Sequence, residues 1–142
     1  MAMQDIQTLL DICADPASAP LIAAGEWVRD PALRPALREA GWFVATLDRA
    51  PVISKETLLH AVYQAAMFPG HFGFNWDALH DALTDLTWLE PVKGIALIWR
   101  NPGVLHTRAP EVYDTFVDIL LETNLDRGEA PPLRVLANLT PG

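Results

Sequence analysis

Basic residues are scarce in this chain and cysteine scarcer still. Against 18 Asp and Glu there are 10 Lys and Arg, a formal net charge of −8, and Cys13 is the only cysteine. So negative a surface disfavours nucleic acid and anionic membranes as partners and suits a basic protein instead. A single cysteine allows neither an intramolecular disulfide nor a cysteine-based zinc framework, so Cys13 is expected as a small buried apolar residue. The N-terminal stretch MAMQDIQTLLDICADP has acids, no basic region and no long apolar run. It is unlike a signal peptide or a membrane span, and a cytoplasmic protein is expected. No glycine-rich phosphate loop follows the first strand and no Gly-x-Ser-x-Gly elbow occurs. The expectation is a protein without cofactor or catalysis.

What is present centres on residues 68–86, FPGHFGFNWDALHDALTDL. Phe68-Pro69-Gly70 and Gly73 read as a tight loop, because proline fixes φ and glycine adopts conformations closed to other residues. Asn75 stands where a helix N-cap belongs. From Trp76 the spacing is helical: Trp76, Leu79, Leu83 and Leu86 make an apolar stripe, while Asp77, Asp81 and Asp85 recur four apart on another face. Like charges at that spacing destabilise a helix by a few tenths of a kcal/mol per pair, roughly. Only Asp77 lies close enough to the N-terminus to gain from the macrodipole. No Lys or Arg occurs from Glu56 to Val92 to neutralise the row. The row reads either as a solvated face or as a surface kept negative for a positive partner.

This combination of aromatic and glycine loop, Asn75, Asp77-Ala78-Leu79, Asp81 and Leu83 resembles the signature of the barstar family, intracellular protein inhibitors of ribonucleases. The resemblance runs from about Trp42 to the C-terminus and is densest at 68–83; the first forty residues lie outside it. It implies a small three-stranded parallel sheet packed with helices, here with an N-terminal extension at 1–40 before a domain at 41–142. It also implies a basic ribonuclease bound one to one by a protein that is a monomer when free. Asp77 and Asp81 would be the central anions, Gly73 and Asn75 would hold the chain close to the partner, and Asp118 would add an acid from the last helix. Three positions depart from the pattern: His71 stands where a tyrosine is expected, Phe74 where an acid is common, and His80 where a tryptophan can sit.

In order along the chain, Ile6, Leu9, Leu10 and Cys13 predict a short amphipathic helix over 4–13, ended by Asp15-Pro16. Pro20 to Ala24 suits either an extra strand or buried coil. Between Pro31 and Gly41, Leu33, Leu37 and Ala40 are expected to face the core. Trp42 to Leu47, WFVATL, is bounded by turn residues and reads as a strand. Ser54 caps a helix whose Leu58, Leu59, Val62 and Ala66 face inward, leaving His60 on the surface. Ile95 to Trp99, IALIW, reads as a strand buried on both faces of a parallel sheet. A loop is expected up to Pro110, then a helix from Glu111 to about Asp126 with Val112, Phe116, Ile119, Leu120 and Leu125 on its core side. Its outer side carries Asp114, Asp118, Glu122 and Asp126, a second acidic row at i+4. Leu133 to Leu139 is the last strand. Strands alternating with helices predict right-handed crossovers and a parallel sheet. Trp42, Trp99 and Trp76 are assigned to the core, and Trp88 fits either core or surface.

Two other readings remain. His71, His80, Asp77, Asp81 and Asp118 include metal-ligand types, but His80 and Asp81 are adjacent and diverge by about 100° on a helix. The other is a non-inhibitory acidic interaction module on the same scaffold, with a different basic partner.

Overall fold

A computed structural model of the protein describes residues 5–139. Its frame is a four-stranded parallel sheet in the order β1-β4-β3-β2, from β1 (Leu21–Ala23), β2 (Trp42–Thr46), β3 (Gly94–Trp99) and β4 (Leu133–Ala137). Every residue of β3 and β4 is buried. That is the pattern of central parallel strands with helices on both faces. One face carries α1 (Ile6–Ala14), a 3-10 turn at Gly25–Arg29 and α2 (Leu33–Glu39). The other carries α3 (Lys55–Ala65), α4 (Trp76–Asp85), a 3-10 turn at Thr87–Leu89, α5 (Pro102–Arg108) and α6 (Pro110–Asp126).

The sheet has four strands where three were expected. Leu21–Ala23 pairs in register with Val135–Ala137, and its ends are fixed by Val135 N–H to Pro20 O at 2.7 Å and Ala24 N–H to Ala137 O at 2.9 Å. Without that pairing the outer edge of β4 would leave buried main-chain groups unbonded. Residues before β2 also supply the second core. Leu9, Cys13, Ile22, Val28, Leu33 and Leu37 lie against Trp42, Val44, Ala96, Ile98 and Leu136. Cys13 is buried there, and burial pushes its thiol up to about 11, so it stays protonated and unreactive at neutral pH. Gly94 faces Trp42 so closely that a Cβ would sit 2.4 Å from the indole, which excludes a side chain at that position.

Local signals hold at most helix ends. Ser54 and Thr57 form a reciprocal capping box on α3, and Leu58, Leu59, Val62 and Ala66 are buried. Trp42 and Trp99 are core. Two expectations fail in the segment after β3. The loop expected before Pro110 contains α5, with Pro102 in its first turn, where a missing N–H is harmless, and Leu105 buried. Leu125 is 79 % exposed and not core. It lies nine residues beyond Phe116, which at about 100° per residue puts it half a turn away. Thr123 takes the buried place, its hydroxyl donating to Ile119 O at 2.8 Å.

Two buried arginines tie distant elements together. Arg134, on β4, donates to Cys13 O and Asp15 O, each at 3.0 Å, and to Asn124 Oδ1 at 3.0 Å. It thereby satisfies carbonyls left free at the end of α1. Arg127, just past α6, does the same for α4.

Candidate functional site

The acidic helix α4 is held at both ends. Asn75, at φ −139, accepts from Ala78 N–H at 2.8 Å and donates to Gly73 O at 3.3 Å, so cap and loop are one unit. Gly73 is tightly placed as well: a Cβ there would meet Asn75 Nδ2 at 3.2 Å. At the other end Leu86 is fully buried in a left-handed conformation, φ +52, an uncommon backbone for a leucine. Arg127 reaches across from the end of α6 and donates to Asp85 O at 2.9 Å and Thr84 O at 3.1 Å, with Pro131 O accepting from Nε at 2.9 Å. Burial lowers its pKa, yet an arginine stays charged, so a cation stands at the negative end of the α4 dipole.

The loop before α4 is held by aromatic rings. Phe72 stacks on Tyr63 at 5.9 Å and meets Phe68 edge-on at 4.8 Å. Trp88 approaches Phe68 at 5.8 Å and donates its indole N–H to Ala66 O at 2.9 Å. Trp88 therefore joins the end of α3 to the turn after α4. Phe74, with φ +52, turns its ring onto His60 at 4.3 Å and Tyr63 at 5.0 Å. Trp76, assigned to the core from sequence, is only half-buried, and Lys55 Nζ lies 5.1 Å from its ring centroid. The indole flanks the site beside the first turn of α4, because α3 presents a lysine stem there and not an apolar side chain.

Between loop and helix lies a groove of about 310 Å³ bounded by His71, Phe72, Gly73, Asp81, Asp85 and Trp88, among others. Of the residues expected to meet a partner, His71, Gly73 and Asp81 line it. Asp77 and Asn75 are exposed beside it, and Phe74 turns away toward α3. Asp118 is exposed on α6. His80 faces α6, not the groove. Its Nε2 is 3.4 Å from Asp126 and 3.7 Å from Glu122, and its Nδ1 is 3.9 Å from Asp81. The ring is 31 % exposed and Asp81 is 89 % exposed. Asp85 and Trp88 were not among the expected contacts. Asp85 continues the i+4 row, a signal present in the sequence, whereas nothing near Trp88 in sequence points to the groove.

Successive carboxylates of the row rise about 6 Å along the axis, four residues at 1.5 Å each. Among the described residues no Lys or Arg pairs with Asp77, Asp81 or Asp85. Within α4, Arg127 donates to main-chain carbonyls and not to a carboxylate. The helix is thus rigid, capped and left with open anionic valences, an arrangement that can accept charge-assisted hydrogen bonds from guanidinium or ammonium groups. Among the described residues no group of three or more His, Cys, Asp and Glu is arranged to hold a metal ion, and no helix is long and apolar enough to cross a membrane.

No curated protein is significantly similar to the chain. The family described as Barstar (barnase inhibitor) matches residues 42–137, which run from the first residue of β2 to the last of β4. That is more than half of the 142 residues, and the chain belongs to the barstar family.

Proposed function

We propose that the protein is an intracellular inhibitor that binds a basic ribonuclease one to one, covering the enzyme's active site with α4 and the loop at 68–75. The observation that carries this reading is the row Asp77, Asp81 and Asp85, without a Lys or Arg partner among the described residues, on a helix fixed at both ends. A ribonuclease exposes Lys, Arg or His to bind RNA phosphates, and burying those cations without counter-charges is costly. Carboxylates already in place take the phosphate positions, accept the hydrogen bonds and exclude RNA. They do so with little ordering left to complete on binding.

Asp81 is the central anion, because it is both the most open of the charged groups around His80 and a wall of the groove. Asp77 flanks it. His71, Gly73 and Asn75 shape the loop that enters the enzyme's cleft. Phe74 and His80 act through packing, Phe74 on α3 and His80 between α4 and α6. Complementary fields also speed encounter, and they weaken with salt. Hot-spot energetics and electrostatic steering of this kind are known in part from barstar itself, a member of the family. We read residues 1–40 as an addition to the family domain at 41–142, with no catalytic role for either part.

The test is titration into a basic microbial ribonuclease while RNA cleavage is followed at low and moderate salt. Stoichiometric inhibition that weakens with salt supports the reading. Folded protein without inhibition would favour an acidic interaction module directed at another basic partner.

A further inference from the structure

A second surface lies away from α4, at the edge of the sheet. Among the described residues β2 is an outer strand with no neighbour beyond it. Leu47 N–H bonds Ile98 O at 2.7 Å, and Gly41 O accepts from Lys93 N–H at 2.9 Å. Main-chain groups of successive strand residues point to alternate sides, so the N–H and C=O groups of Trp42, Val44 and Thr46 face outward from the sheet. Such an edge is a ready template for another extended chain.

Here the edge opens into a cleft of about 1000 Å³ between β2 and α3, with half-buried Phe43 and Ala45 along the strand and Ala61 and Ala65 on the helix. Arg34 and Arg49 also line it. Arg34 donates to the Thr46 hydroxyl, which holds its guanidinium against the end of the strand. Burial, then the charges of Arg38 and Arg49, lower the pKa of Arg34. Among the described residues none of them forms a salt bridge. Two of the ten basic residues of a chain with net charge −8 thus line one cleft whose lining contains no Asp or Glu among the described residues.

We propose that this cleft receives an extended acidic segment of a partner protein, added as a fifth strand along β2 with its carboxylates over Arg34 and Arg49. The unpaired outer edge of β2, most accessible at the half-buried Thr46, selects a peptide, since nucleic acid has no ladder to offer. The uncompensated arginines select acidic side chains. A second copy fits less well, because its own edge strand, WFVAT, has no acid to place there. This surface does not depend on the ribonuclease reading of α4.

The probe is an end-capped octapeptide of alternating valine and threonine flanked at each end by two glutamates, with a lysine-flanked peptide as control. At ten times its Kd the acidic peptide is expected to slow amide exchange at Val44 and Thr46 by about tenfold, since protection scales as 1 + [L]/Kd. Binding should weaken with salt, vanish in Arg49→Glu and persist unchanged in Asp81→Lys. Arg49 is exposed, so its reversal leaves the fold intact. A gain of lysine-peptide binding by Arg49→Glu would further support the assignment. Four results would overturn it: no protection, equal binding of both peptides by the parent protein, displacement by an oligouridylate, or protection of the same amides by dimerisation without peptide.

Discussion

Two helices of this protein carry the same sequence pattern and occupy different situations. On α4 the acids are Asp77, Asp81 and Asp85; on α6 they are Asp114, Asp118, Glu122 and Asp126. Both rows step by four. The α4 row belongs to a helix with a side-chain cap at one end and a buried guanidinium at the other, and it borders a groove walled by a pinned loop. The α6 row belongs to a longer helix without a side-chain N-cap, and its C-terminal pair, Glu122 and Asp126, is turned toward His80. A row of like charges is therefore not a site by virtue of its spacing. Rigidity and adjacent shape distinguish one row from the other, since His80 lies near Asp81 as well as near Glu122 and Asp126.

Charge reversal on each helix tests that contrast most severely. Asp81→Lys is expected to weaken ribonuclease binding by roughly 30-fold or more, the 2 kcal/mol that marks a hot spot, with unchanged circular dichroism. Loss of folding would instead show that Asp81 is structural. The counterpart on α6, Asp118→Lys, should change binding by less than about threefold, as for an exposed charge at an interface rim. An equal loss at both positions would make α6 part of the site.

Arg127→Ala should destabilise the protein by about 2–4 kcal/mol, because the carbonyls at the end of α4 lose a buried donor. Urea denaturation measures this, and a change below about 0.5 kcal/mol would mean that water replaces the guanidinium without penalty. Asn75→Ala should cost about 1 kcal/mol in the same experiment through loss of the cap alone. If it also reduced binding beyond that share, Asn75 would be touching the partner as well as holding the loop. Raising salt from about 50 to about 500 mM gives the gentlest comparison: binding should weaken while stability changes little, since the α4 row is exposed and Arg127 is not.

The local grammar of the site is legible in the sequence. Ser54 and Asn75 cap where their side chains and spacing imply, and Leu79, Leu83 and Leu86 bury the face opposite the acids. Gly73 also stands where the loop must turn closely on Asn75. The direction of His80 is not legible there. Adjacent residues on a helix diverge, but which of them meets α6 depends on how two helices cross. Trp88 is ambiguous for a similar reason: its partner, Ala66 O, is 22 residues away. The expectation for Leu125 fails on the sequence's own terms, since the helical period alone places it opposite Phe116.

By itself, the sequence determined the alternation of strands and helices, the buried parallel strands, the caps and an acidic face without local cations. Each depends on groups within a few residues of one another, where backbone geometry dictates the outcome. Tertiary structure alone decided that Leu21–Ala23 would become a fourth strand, that Arg127 would close α4 from 42 residues away, and that Arg134 would close α1 from 121. It also decided that β2 would be, among the described residues, an outer strand beside Arg34 and Arg49. These outcomes follow from buried polar groups seeking partners across the fold, and distance along the chain does not constrain which partner is within reach.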